Sequence, residues 1–355
     1  MSVRQRVLRT AGAALGVAGL AAAGGVVDVA IHRRAIAARP KAGDKIPLGS
    51  LRSRPITVVC SDGVPLHVEV DEPDAPGATP LTVVFAHGYC LTLDSWHFQR
   101  AGYRGLVRTV FYDQRSHGRS GRSDAKHATI DQLAEDLLCV LEQVAPEGPV
   151  VLVGHSMGGM TIAALAEQHP ELFGERIVGV ALISTTAGGL DVGRILMPLA
   201  PARIGGNLVV RGARGLSRGH RGVDAVRKMG RAVAEVATDR FAFGDEVPSD
   251  YVRFVDEMLG ATPFEVVAQF LPSLHSLDKF DHVGVLARVP TAIMCGTRDR
   301  LTSIGHSRKL ASRIEGATLL ELERTGHMAQ IERHDQVNAV LDQLLAAATE
   351  QAGRR

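Results

Sequence analysis

Cysteine is the first scarcity. The chain of 355 residues has four, Cys60, Cys90, Cys139 and Cys295, and no two stand close enough in sequence to make a zinc-type pair. Cys60, Cys139 and Cys295 sit inside apolar runs, where small buried thiols are common, so the chain reads as a fold that does without disulfides. Charge of one sign is also lacking: 40 basic residues face 38 acidic ones, a net charge of +2. A nucleic-acid footprint needs a concentrated basic face. The one arginine-rich stretch, Arg211 to Arg231, lacks interleaved aromatics and reads as solvated surface, so no nucleic-acid partner is expected. There is no internal repeat and no low-complexity tract beyond the N-terminal one. With 45% apolar residues the composition is that of a globular protein.

Residues 1–45 differ from the rest. Arg4, Arg6 and Arg9 precede a run from Thr10 to Val27 that is uncharged for 18 residues, the lower limit for a membrane-spanning helix. Gly12 and Gly16 form a small-xxx-small pair suited to packing in lipid. The expectation is an N-terminal anchor and a membrane-associated protein. A cleaved signal ending near Ala21-Ala22-Ala23, giving a secreted protein, and a soluble helix in a cytoplasmic one are the alternatives. Positive charge flanks both ends of the run, so orientation cannot be read from it. Residues 46–355 form the expected catalytic domain, reached by a polar linker around Pro40 to Pro55. A chain beginning near Ile46 should then be soluble and active.

From there the pattern alternates. "ITVVCSDGVPLHVEV" gives two short strands around an Asp62-Gly63 turn. Continuous apolar runs at Leu81–His87 and Leu106–Asp113 have the character of buried parallel strands. A helix capped by Thr129, with Gln132 closing a capping box, carries Leu133, Leu137, Leu138 and Leu141 as its apolar stripe. Further strands follow at "VVLVGHS", "RIVGVALIST", "TAIMCGT" and "ATLLELE", with helices between and after them. This alternation predicts an α/β class with a mostly parallel sheet covered by helices on both faces. Residues 187–288 interrupt it once, and such an insertion would lie over the carboxyl ends of the strands, where open α/β sheets bind ligands.

The pentapeptide Gly154-His155-Ser156-Met157-Gly158 stands between a strand and a helix, the context of a nucleophile elbow. Gly154 and Gly158 leave out Cβ atoms where the backbone turns sharply and helix meets sheet. A serine hydroxyl needs a positioned base to take its proton. His327 follows the last strand, Asp299 follows the strand before it, and the order Ser156, Asp299, His327 suits this topology. The oxyanion of a tetrahedral intermediate needs two backbone donors. The amide of Met157 opens a helix and is the first. The second comes from the loop after His87-Gly88, with Tyr89 preferred and Cys90 the alternative.

These residues resemble the α/β-hydrolase fold family, in its lid-bearing branch of serine esterases, lipases and thioesterases. The likeness runs from about Ile56 to Ala348 and rests on "GHSMGG", "HGYCLTLDSW", "DQRSHGRS", "GTRDRLT" and "GHMAQIERHDQVN". It implies an eight-stranded sheet with a helical lid, and a bracing role for the loop Asp113–Ser120. Three positions depart from the family pattern: Ser116 stands where glycine is usual, and Ser303 and His334 stand where proline is frequent. Family members that attack with aspartate are excluded by Ser156. The implied reaction is hydrolysis of a carboxylic ester or thioester through an acyl-enzyme. No cofactor and no metal is called for. A C–C bond hydrolase or a haloperoxidase-like perhydrolase with the same triad is the alternative reading. A non-catalytic scaffold would generally have lost a triad residue, and this chain has not. The sequence carries no sign of an oligomeric state.

The substrate pocket is expected among His87 and the lid residues Phe254, Met258, Phe264, Val267 and Phe270, from two amphipathic stretches, "YVRFVDEMLG" and "PFEVVAQFLPSL". An apolar lid together with an anchor favours a lipid-like acyl ester.

Overall fold

A computed structural model of the chain describes residues 27–75, 81–191 and 220–354, apart from the side chains of 220–229. Eight strands form one sheet in the order β1-β2-β4-β3-β5-β6-β7-β8. β1 (Pro55–Val59) and β2 (Pro65–Asp71) are the hairpin expected around Gly63, whose φ of 82° only glycine adopts freely. β2 pairs antiparallel with β4 (Arg108–Tyr112), and every pair from there on is parallel. The other strands are β3 (Thr82–Ala86), β5 (Val150–His155), β6 (Ile177–Ile183), β7 (Thr291–Gly296) and β8 (Thr318–Leu322).

Successive residues of a strand face opposite sides of the sheet, and both sides are covered. Val84, Val110, Leu152 and Val180 join one apolar cluster, and Phe85, Phe111, Val151 and Val153 join the other. Two helices, α3 (Ile130–Val144) and α4 (Met157–Gln168), supply the first cluster with Leu133, Leu137, Ile162 and Leu165. On the other side α2 (His97–Tyr103) and the C-terminal helix (His334–Gly353) bring Tyr103, Leu341 and Leu344. Thr129 caps α3 as expected, its hydroxyl accepting the Gln132 amide at 3.1 Å.

Among the described residues of the insertion are the helices α5 (His220–Ala242), α6 (Ser249–Ala261) and α7 (Phe264–Ser276). A third apolar cluster joins this lid to distant parts of the chain, among them Leu91, Phe98, Met328 and Ile331 and a residue from well before the sheet. Residues 27–38 form a helix, α1, whose Ile36 is 1% exposed among Val236, Tyr251, Val252 and Val255. Burying a side chain of that size contributes about 2 kcal/mol. The boundary expected at residue 45 is therefore not a packing boundary. Residues 27–45 lie against the lid and are no free linker, so a chain begun at Ile46 would lose part of this cluster. Among the described residues no helix is long and apolar enough to cross a membrane. Thr10–Val27, expected to do so, lies outside the described residues except for Val27.

Candidate active site

Ser156 sits where β5 ends and α4 begins, with φ 51° and ψ −115°, a strained backbone for a residue that has a side chain. Its amide donates to Ile183 O at 2.9 Å and its carbonyl accepts from Thr185 Oγ1 at 2.6 Å, which pins the turn from the neighbouring strand. The glycines around it are required by close approach. A Cβ on Gly158 would stand 2.0 Å from Ala86 O, and one on Gly154 2.6 Å from the Gly158 carbonyl. His155 turns inward. Its Nε2 donates to the backbone carbonyl of His327 at 2.9 Å, and burial lowers its pKa well below the ordinary histidine value.

Asp299 and His327 follow β7 and β8. His327 Nδ1 lies 2.9 Å from Asp299 Oδ2. The other carboxylate oxygen accepts the amides of Leu301 and Thr302 at 2.8 and 2.9 Å, so the aspartate is fixed from both sides. Thr302 Oγ1 lies within hydrogen-bond distance of Asp299 Oδ2, His327 Nδ1 and Ser184 O, at 2.9, 3.2 and 2.7 Å. Ser156, Asp299 and His327 are 8%, 5% and 7% exposed. Ser156 and His327 line one cavity of about 300 Å³. Among the described hydrogen bonds none joins Ser156 Oγ to His327, and such contacts are often long until substrate is bound.

The loop after β3 reaches the same cavity. Tyr89, Cys90 and Leu91 line it beside Met157, and a turn from Gly88 O to the Leu91 amide at 3.2 Å holds them there. Cys90 takes φ 60°, and burial pushes its thiol up to about 12. The Tyr89 hydroxyl donates to Val267 O, tying this loop to the lid. Burial raises the phenol above its ordinary value.

The expected pocket residues divide. Phe264 and Val267 line the cavity. Phe254 instead lies against Gly49, Met258 is buried in the lid's own cluster, and Phe270 packs under Tyr89 and His117. His87 is not at the pocket surface either. It is fully buried, with Nδ1 donating to Gly88 O at 2.8 Å and Nε2 accepting the Gln114 amide at 2.9 Å. The walls come from residues that the amphipathic reading left out: Thr238, Phe241 and Ala242 of α5, and Val255 and Leu259 of α6. None of the described lining residues is Asp, Glu, Lys or Arg. Among the described residues no group of three or more His, Cys, Asp or Glu could hold a metal ion.

Two further residues hold the histidine loop. Thr302 stands in the quoted "GTRDRLT" but had no role assigned from sequence. Glu332 accepts the amides of Gly326, Gly244 and Asp245 at 2.8, 3.0 and 3.0 Å, joining the loop of His327 to the end of α5. The three departures from the family pattern also have local explanations. Ser116 has φ 66°, the reason a glycine suits that place, and its hydroxyl accepts the Ser123 amide at 2.9 Å. Ser303 precedes the helix Ile304–Arg313 with φ −54°, a value proline also has. His334 stacks on Phe98 with ring centroids 4.0 Å apart.

A mostly parallel sheet with a strained serine at a strand–helix turn, a His–Asp pair at the ends of later strands and a helical lid defines the class of α/β hydrolases. The chain belongs to the alpha/beta hydrolase family, whose model matches residues 83–340. One relative is the dihydrolipoyllysine-residue acetyltransferase component of the acetoin cleaving system of Pseudomonas putida, 25% identical over 74% of this chain. The match spans 62% of that protein's length. Another is the monoacylglycerol lipase of Mycolicibacterium smegmatis, 26% identical over 65% of this chain and 75% of that protein. Among solved structures, the enol-lactonase from Burkholderia xenovorans LB400 superposes with a TM-score of 0.62 at 24% identity, over 82% of this chain and all of that one. At that identity the likeness is one of fold.

Proposed function

We propose that the chain is a serine hydrolase cleaving neutral, apolar carboxylic esters or thioesters through an acyl-enzyme. The observation that carries this reading is a serine in a strained elbow, sharing with a histidine that is paired to an aspartate a cavity whose described lining holds no Asp, Glu, Lys or Arg. His327 Nε2 takes the Ser156 proton as Oγ attacks the acyl carbonyl. Asp299 accepts from Nδ1–H and holds the ring in the tautomer that leaves Nε2 free. The amides of Met157 and Tyr89 stabilise the tetrahedral oxyanion. The leaving alcohol or thiol takes the proton from His327. Water then enters by the same route, and the acid is released. The apolar cavity favours an uncharged acyl chain, which also fits the resemblance to a monoacylglycerol lipase.

The experiment is labelling by a fluorescent fluorophosphonate of wild type and Ser156→Ala, followed by turnover of p-nitrophenyl esters from acetate to palmitate. Labelling should vanish in the variant, and kcat should fall by roughly 10⁴-fold or more. Folded wild-type protein that takes no label would overturn the reading.

A further inference from the structure

We propose that residues 27–45 act as a strap that sets acyl-chain selectivity by fixing the lid wall of the cavity, with Arg39 and Asp239 as positioning residues. This rests on the esterase reading of Ser156. These residues precede the stretch from about Ile56 to Ala348 over which the chain resembles the family, and also residues 83–340, which the family's model matches.

The lid helix α5 has two working faces. Thr238, Phe241 and Ala242 point to the cavity. Glu235 and Asp239, four residues apart and so on one side of the helix, point to the strap. Asp239, 8% exposed, receives Arg39 through both guanidinium nitrogens, at 2.5 and 2.9 Å, and His32 Nε2 at 2.9 Å. A two-pronged, nearly dry pair of this kind fixes direction as well as distance. Arg33 meets Glu235 at 2.6 Å one turn earlier. The next helix is held by backbone: the Ser249 amide donates to Pro40 O at 3.3 Å, and the Ala42 amide to Asp250 Oδ1 at 3.2 Å. Ile36 fills the space between them, in one cluster with Val255. Val255 also lines the cavity. Strap and cavity wall therefore belong to one packed cluster, and when the strap moves that wall loses part of its backing.

The hydrogen bonds described for the elbow and for the His–Asp pair come from the sheet and its loops, and none of them involves residues 27–45. Releasing the strap should change which esters fit and leave the chemistry of Ser156 alone. The test compares wild type, Arg39→Ala, Asp239→Ala, the double variant and Arg39→Lys. Each is labelled with the fluorophosphonate, assayed on p-nitrophenyl acetate, octanoate and palmitate, and checked for folding by thermal denaturation. Amide exchange in α6 is followed as well.

Expected are labelling and acetate turnover within about twofold of wild type, and a long-to-short ratio of kcat/KM shifted by roughly tenfold, mainly through KM. The double variant should be no worse than either single one. Arg39→Lys should recover part of the ratio, and exchange in α6 should quicken in Arg39→Ala. Folded variants with an unchanged ratio would overturn the strap. If wild type neither labels nor turns over, the reading of Ser156 falls, and the selectivity proposal falls with it.

Discussion

At the scale of single residues, the elbow shows two different reasons for glycine. Gly158 is required because a Cβ there would meet Ala86 O at 2.0 Å, whereas Gly63 is required by its φ of 82° and has nothing within 4 Å. Gly158→Ala should therefore cost about 3 kcal/mol or more and abolish fluorophosphonate labelling. Gly63→Ala should cost about 1 kcal/mol and leave labelling intact. Urea unfolding midpoints beside the labelled band check both, and equal costs would refute the distinction. The places of Ser156, Asp299 and His327 at the ends of strands were legible in sequence, because each belongs to a short motif there. Glu332 was not. Its role depends on three amides, two of them more than eighty residues away, and no local pattern announces that. Burial raises the Glu332 carboxyl above its ordinary value, although the amides of Gly326 and Gly244 pull the other way.

At the scale of elements, α6 and α7 were found, and the face that meets the cavity was misread in α6. Hydrophobic periodicity identifies residues that are buried, not which of two buried surfaces they meet. In α6 the apolar residues serve both: Val255 and Leu259 reach the cavity, Met258 stays in the lid cluster and Phe254 lies over Gly49. Leu259→Trp should cut palmitate turnover by roughly tenfold more than acetate turnover, because it fills the cavity. Met258→Ala should lower stability by about 2 to 4 kcal/mol with an unchanged ester profile. The reverse assignment of effects, read from ester profiles and urea midpoints, would show that the faces are misplaced. The strap was missed for a related reason. "HRRAIAARP" has one long apolar side chain, Ile36, amid charge. Arg33 and Arg39 belong to the positive charge that follows the apolar run, and their partners are Glu235 and Asp239 on the lid.

At the scale of the whole molecule, alternating strands and helices made the α/β class legible. The sheet order was not, because nothing local places β4 between β2 and β3. The interior also holds groups that tie stability to pH. Burial lowers His87 to about 4 and His117 to about 3, and His155 well below its ordinary value. For such groups stability is complete above the unfolded value near 6.5 and is lost as pH falls toward the folded values, since only the unfolded chain takes up the protons. At pH 5 the loss is on the order of 2 kcal/mol per histidine. Burial would also raise Glu69, but hydrogen bonds from His67, the Ser53 amide and Arg100 bring it down to about 2, which adds a second loss below about pH 4.5. Asp113, raised by burial, acts in the opposite sense. The urea midpoint should therefore drop from pH 7 to pH 5, and His117→Asn should reduce that drop by about a third. A variant whose drop equals that of wild type would exclude His117 as a source.

The strap also affects the order of events in folding. Arg39 and Asp239 are 200 residues apart, so their pairing closes a loop that contains most of the sheet. Ile36 has no apolar site to enter until α5 and α6 have formed. Docking of the strap therefore completes assembly, even though these residues precede the whole sheet in sequence. Contacts of such long range form late, and a segment held at one edge can open at a lower free energy than the whole fold. Strap opening is thus a motion available to the folded protein that leaves the elbow of Ser156 undisturbed.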